Sequence, residues 1–221
     1  GSGGGAVATN TTGAKNVAVG RSALTANTTA SYNVAVGEGA GDAITTGNYN
    51  TAIGRSALTT LTTNAANTAV GGTALAVNTA ANNTAVGYAA LAANTTGPQN
   101  VAVGRAALTA NTTGTLNVGL GDAALQSTTT GFRNIGIGHD GGGQITTGHS
   151  NVAIGYDSAD GLTTGSANVC IGAGTNPDNT STYQIILGHG VKGLGGNSFT
   201  FGKDGGSDRV YNIFTSNASW T

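Results

Sequence analysis

"NVAVGRSALTANTTASYNVAVG", running from Asn16 to Gly37, contains one complete period of this chain: the string "NVAVG" closes at Gly20, returns, and closes again at Gly37. The motif N-x-small-apolar-G recurs ten times. It opens at Asn16, Asn33, Asn50, Asn67, Asn83, Asn100, Asn117, Asn134, Asn151 and Asn168, and closes at Gly20, Gly37, Gly54, Gly71, Gly87, Gly104, Gly121, Gly138, Gly155 and Gly172. Eight of the nine steps are 17 residues and one is 16. Weaker echoes close at Gly188 ("QIILG") and Gly202 ("SFTFG"). So short and regular a period marks stacked coils, because a single coil cannot bury its apolar side alone and must lean on its neighbours.

Each coil has two halves. In the "NVAVG" half, Val17 and Val19 fall on one side and Ala18 on the other, the period of a strand. The second side is Ala or Gly throughout, as at Ala35, Ala52, Gly119 and Gly136. A strand large on one side and small on the other is expected to be buried on both. The large side would fill the coil, and the small side would admit another backbone. In the return half, a Leu stands four residues after the Gly in one subtype (Leu24, Leu58, Leu75, Leu91, Leu108, Leu125). In the other, an Ile or Leu stands seven after it (Ile44, Ile145, Leu162). A short strand or an irregular arc suits both. Thr follows eight residues after each Gly, from Thr28 to Thr163, and next but one come residues such as Gly47, Asn64 and Gly97, which suit a left-handed turn.

Successive parallel rungs lie about 4.8 Å apart, so the eleven steps from Gly20 to Gly202 predict a rod of roughly 53 Å. The repeated Asn would stack as an amide ladder, each bonding to the copies above and below. With only about three sizeable apolar side chains per coil, the core is thin. The small-residue side therefore predicts several chains packed together.

Composition narrows the function. The 221 residues include 39 Gly, one Cys and no Met, with a formal net charge of −1. No basic run points to nucleic acid, and no stretch of about 18 apolar residues points to a membrane span. Cys170 alone excludes an internal disulfide, and the absence of Met points to a processed chain or an excised fragment. The opening "GSGGG" reads in part as a cloning remnant.

The strings "NVAVG", "NTAIG" and "NVAIG" resemble the head repeats of YadA-type trimeric autotransporter adhesins, over roughly Asn16 to Gly188. That resemblance implies a left-handed parallel β-roll with three chains about one axis. The longer coil with "ALxxNTTG" is closer to the variant in phage tail-fibre proteins. "VYNIFTSNASWT", Val210 to Thr221, is similar to the segment preceding the intramolecular chaperone of many tail fibres. The implied function is a structural and adhesive fibre segment, in a virion, that contacts a glycan or outer-membrane protein on a host cell. The alternatives are the head of a bacterial cell-surface adhesin and a Thr-rich ice- or surface-binding solenoid.

Chemistry-bearing residues are few. Asp140 and Asp157 occupy equivalent places in adjacent coils, close to glycosidase spacing, yet nothing around them suggests a sugar-cleaving cleft. His139, His149 and His189 lack tight metal-ligand spacing. Cys170 takes the place of an Ala and has no adjacent base. "GIGHDG" and "GHGVKG" match G-x-G-x-x-G, but neither opens a helix within a βαβ unit. No catalytic residue, metal site or cofactor is expected. The residue after each motif Gly varies most: opposite charges at Arg21, Glu38 and Arg55, and at Arg105 and Asp122, would favour register. Tyr88, Tyr156, His139, Tyr211 and Trp220 are the candidate receptor contacts. The expected organisation is a partial coil over 1–15, a regular homotrimeric β-roll over 16–172 within about 12 coils in all, and a C-terminal cap or tip over 173–221.

Overall fold

The computed structural model describes residues 6–203 and 209–213. It is a parallel β-solenoid of about eleven turns, with no helix among these residues. Ten three-residue strands come first: β1 (Val17–Val19), β2 (Val34–Val36), β3 (Thr51–Ile53), β4 (Thr68–Val70), β5 (Thr84–Val86), β6 (Val101–Val103), β7 (Val118–Leu120), β8 (Ile135–Ile137), β9 (Val152–Ile154) and β10 (Val169–Ile171). They are followed by β11 (Ile185–His189), β12 (Ser198–Lys203) and β13 (Arg209–Ile213). All form one sheet in chain order. Pairing is parallel and in register from β1 to β12, with Val17 beside Val34 and Val169 beside Ile185. β13 then pairs antiparallel with β12.

The motif glycine sets the pitch. Gly104 has φ +139°, which L side chains rarely adopt, and a Cβ there would lie 2.2 Å from the carbonyl oxygen of Gly121 in the next coil. The motif asparagines form the expected ladder, but chiefly to backbone. Each Oδ1 accepts the N–H of the next motif Asn at 2.8–3.0 Å. Each Nδ2 donates to a turn carbonyl, as Asn100 does to Gly114 at 2.8 Å. Direct amide-to-amide bonds occur at some steps only, such as Asn168 to Asn151 at 3.0 Å.

Two expectations are corrected. The first concerns the faces of the strand. Ala35, Ala52, Ala69, Ala85, Ala102 and Ala153 are completely buried inside the coil, whereas Val17 and Val19 are about half exposed, at 49% and 55%. The small side is the inner one because the return half supplies the bulk. A Cβ on Gly136 would come within 2.7 Å of Leu125 Cγ, and one on Gly119 within 3.4 Å of Leu108 Cγ. Strand and return path are so close that one Leu fills the gap, and only Ala or Gly fits opposite it.

The second concerns the left-handed turn. Gly47 and Gly97 do not have positive φ. They are glycine because a Cβ would lie 2.3 and 2.2 Å from carbonyl oxygens of the next coil. The left-handed residues are the one just before each motif Asn or its C-terminal counterpart, from Lys15 to Asn197 with φ of 56–62°, and, through the first nine coils, those two and four after each Gly, such as Ala106 and Leu108.

The return half is a chain of turns without strands, bonded coil to coil: the Leu24 N–H donates to Ala40 C=O at 3.1 Å, and that of Thr28 to Thr45 C=O at 3.1 Å. The two subtypes fill one interior space. A Cβ on Gly41 would meet Ile44 Cδ1 at 2.9 Å and Leu24 Cδ2 at 3.3 Å, so Ile44 occupies the space that Leu24 fills one coil earlier. In five of the six coils where Leu stands four after the Gly, position seven holds a buried polar residue, and in the sixth it holds Leu61. Asn78, Asn94 and Asn111 make a second, inner ladder there, with Nδ2 to Oδ1 distances of 2.7 and 2.6 Å.

Candidate functional site

The outer face of the sheet carries two columns of side chains. One runs Val17, Val34, Thr51, Thr68, Thr84, Val101, Val118, Ile135, Val152, Val169, Ile185. The other runs Val19, Val36, Ile53, Val70, Val86, Val103, Leu120, Ile137, Ile154, Ile171, Leu187. Register continues them into Phe199 and Phe201, whose rings lie 5.6 Å apart. None of the 22 column residues before the Phe pair is classed as buried. Each coil thus presents two, mostly apolar, side chains outward along the whole sheet, seven of the 22 exposed and the rest partly buried. The sequence pattern contained this signal, since V-x-V was legible as a face, but its direction was not.

Two corner columns flank that face. The corner after the motif Gly holds the residues expected to vary. Arg21 forms an ion pair with Glu38, and Arg105 Nη2 lies 2.9 Å from Asp122 Oδ2. Tyr88, Tyr156 and His139 are all exposed on this corner, and the rings of His139 and Tyr156 stack at 5.4 Å. Coulombic repulsion from Asp157, its hydrogen bond and the further charge of Asp140 push the Tyr156 phenol above its usual range. Tyr211 is a residue of β13. Trp220 lies outside the described residues.

The corner before the motif Asn went unnoticed in the sequence. Tyr32 and Tyr49 stack at 5.0 Å, and the Lys15 ammonium lies 4.7 Å from the Tyr32 ring centroid while donating to Tyr32 Oη at 2.9 Å. Phe132 and His149 stack in the same way at 4.6 Å. The available signal was the recurrence of these aromatics at a separation of 17 residues.

Two of the clefts on the surface bear on these positions. One, of about 290 Å³, is lined by Gln126, Asp140, Gly143, Gln144, Asp157 and Asp160, and so brings together the two aspartates paired by the repeat. The other, of about 220 Å³, is lined by Arg21, Glu38, Asp42 and Arg55 among others, and burial raises the Asp42 carboxyl above its usual range. Cys170 is fully buried, and loss of hydration pushes its thiol up to about 12. His189 is exposed on β11.

The threonine pairs divide as their adjacency requires. Thr28, Thr45, Thr95, Thr112 and Thr146 donate their hydroxyls to carbonyls of the following coil, leaving the neighbouring Thr29, Thr46, Thr96, Thr113 and Thr147 exposed. Among the described residues no helix is long and apolar enough to cross a membrane. No family model, curated protein or solved structure matches this chain.

Proposed function

We propose that the chain is a structural, non-enzymatic and adhesive segment of a phage tail fibre. It would act in the virion as a homotrimer that contributes to binding a host-cell receptor, a glycan or an outer-membrane protein. The observation that carries this reading is the outer face of the sheet. A rod whose interior holds little more than one Leu or Ile per coil leaves its largest set of Val and Ile side chains partly in water. Covering that face with copies of itself removes the exposure along the whole length. This face replaces the small-residue side as the mating surface, because the small side is consumed within the coil. The flanking corners then remain outward, where Tyr88, Tyr156 and His139 can meet a receptor.

The head of a bacterial adhesin is the alternative that would use the same packing on a cell surface. The test is the native mass by sedimentation equilibrium. A mass three times 21.3 kDa is expected, falling to that of one chain when Val103→Glu and Ile137→Glu put charges on the outer face. A stable wild-type monomer overturns the trimer and moves attention to the exposed threonine column as an ice- or surface-binding face. The adhesive half is tested by cell binding, which Tyr88→Ala and Tyr156→Ala should reduce.

A further inference from the structure

Along the corner after the motif Gly, carboxylates are elsewhere matched by a guanidinium one rung away, as in Arg21 with Glu38 and Arg105 with Asp122. The pattern breaks between β8 and β10. Asp140 and Asp157 stand at the same position in successive coils, and Asp160 lines the same cleft. No lysine or arginine lines it, and among the described residues neither Asp157 nor Asp160 forms an ion pair. Like charges in register on neighbouring rungs repel. Among the described residues, no lysine or arginine answers these carboxylates as Arg21 answers Glu38 and Arg105 answers Asp122.

The side-chain geometry supplies a place for one. We propose that His139, Asp140 and Asp157 bind a divalent transition-metal ion of the zinc class, one per chain. His139 Nδ1 lies 3.2 Å from Asp140 Oδ2, and one ligand atom from each of the three residues lies within 4.8 Å of the others. With bonds of about 2.0–2.2 Å, two ligands of one tetrahedral ion sit roughly 3.3–3.6 Å apart. The His–Asp pair is already close to that separation, and rotation of the Asp157 carboxylate closes the rest.

Two neighbours hold the first pair in place. The Tyr156 ring stacks on the imidazole at 5.4 Å, and Gln126 Nε2 donates to Asp140 Oδ1 at 2.7 Å, which leaves Oδ2 for the ion. Such outer partners orient ligands at metal sites. The cleft of about 290 Å³ admits water to complete the coordination. An imidazole ligand favours zinc, nickel or cobalt over the oxygen-seeking calcium and magnesium. Because His139 and Asp140 follow β8 while Asp157 follows β9, the ion ties two successive coils together. The site is complete within one chain and does not depend on trimerisation.

The experiment is calorimetric titration of Zn²⁺ into the intact, chelator-treated protein, with Ca²⁺ titrated in parallel. One zinc per chain is expected, with no saturable calcium binding and a higher melting temperature in zinc than in chelator. His139→Ala and Asp157→Asn should each weaken zinc binding by at least about tenfold and remove the melting shift. His139→Ala deletes only an exposed ring, so its apo form should melt cooperatively and give a readout of its own. Absence of saturable zinc binding overturns the proposal. So does zinc affinity that is unchanged in both variants, or calcium binding as tight as zinc and indifferent to His139→Ala.

Discussion

Replacing Asn100 by Ala tests how the rod is held together, because Asn16 provides the same bonds in a different solvent environment. Asn100 is completely buried. Its Oδ1 accepts the N–H of Asn117 at 3.0 Å, and its Nδ2 donates to Gly114 C=O at 2.8 Å. The variant strands the Asn117 N–H away from water at a cost of about 1–3 kcal/mol and leaves a void, while Gly114 C=O keeps a donor in Asn111 Nδ2 at 3.1 Å. A total loss of about 2–4 kcal/mol is expected. Asn16 makes the matching pair, accepting from Asn33 N–H at 2.9 Å and donating to Ala30 C=O at 2.7 Å, but it is only partly buried in the first coil. Water can replace its side chain, so Asn16→Ala should cost only about 1 kcal/mol, the net worth of an ordinary hydrogen bond. Urea unfolding followed by circular dichroism, at one fixed protein concentration, measures both. An Asn100→Ala loss below 1 kcal/mol, or an Asn16→Ala loss as large as that at Asn100, would refute the reasoning.

Ala106 has φ 56°, where an L side chain costs about 1–2 kcal/mol, so Ala106→Gly should stabilise by about 0.5–1 kcal/mol after the unfolded-state penalty of Gly. Ala102→Gly, in the ordinary backbone of β6, should destabilise by a similar amount, and urea midpoints moving in the same direction would count against the strain argument. The buried Cys170 thiol should resist iodoacetamide at pH 8 until the protein is unfolded. An unfolded Cys ionises near its ordinary value of 9.0 and folded Cys170 only near about 12, so the unfolded chain binds fewer protons between these values. Stability should therefore fall as pH rises through that window, with a slope of up to about 1.4 kcal/mol per pH unit, and Cys170→Ala should flatten it.

The solenoid was legible before any coordinates because its determinants are local and repeated. The 17-residue spacing of Asn and Gly, the strand period of V-x-V and the opposed charges at Arg105 and Asp122 each depend on residues one coil apart, and a periodic sequence places those in contact automatically. The same logic made the pairing of Asp140 with Asp157 visible as a spacing. Its acidic cleft was not, because Gln126, Gln144 and Asp160 reach it from other positions of the coil.

What remained for the tertiary structure was every question of direction. Period two says that Val17 and Ala18 face opposite ways, but which way is inward depends on what the return half brings to the interior. Leu108 against Gly119 and Leu125 against Gly136 settle it, for the gap they fill leaves no volume for a second large side chain. The glycines at 47 and 97 likewise owe their identity to a carbonyl in the next coil, a contact invisible to the rules for local turns. By itself the sequence determined the period, the strand and the ladder, since these follow from which residues recur. Only the packed coil decided that the valines face out, because that choice is made by volume, and volume is a property of the neighbours.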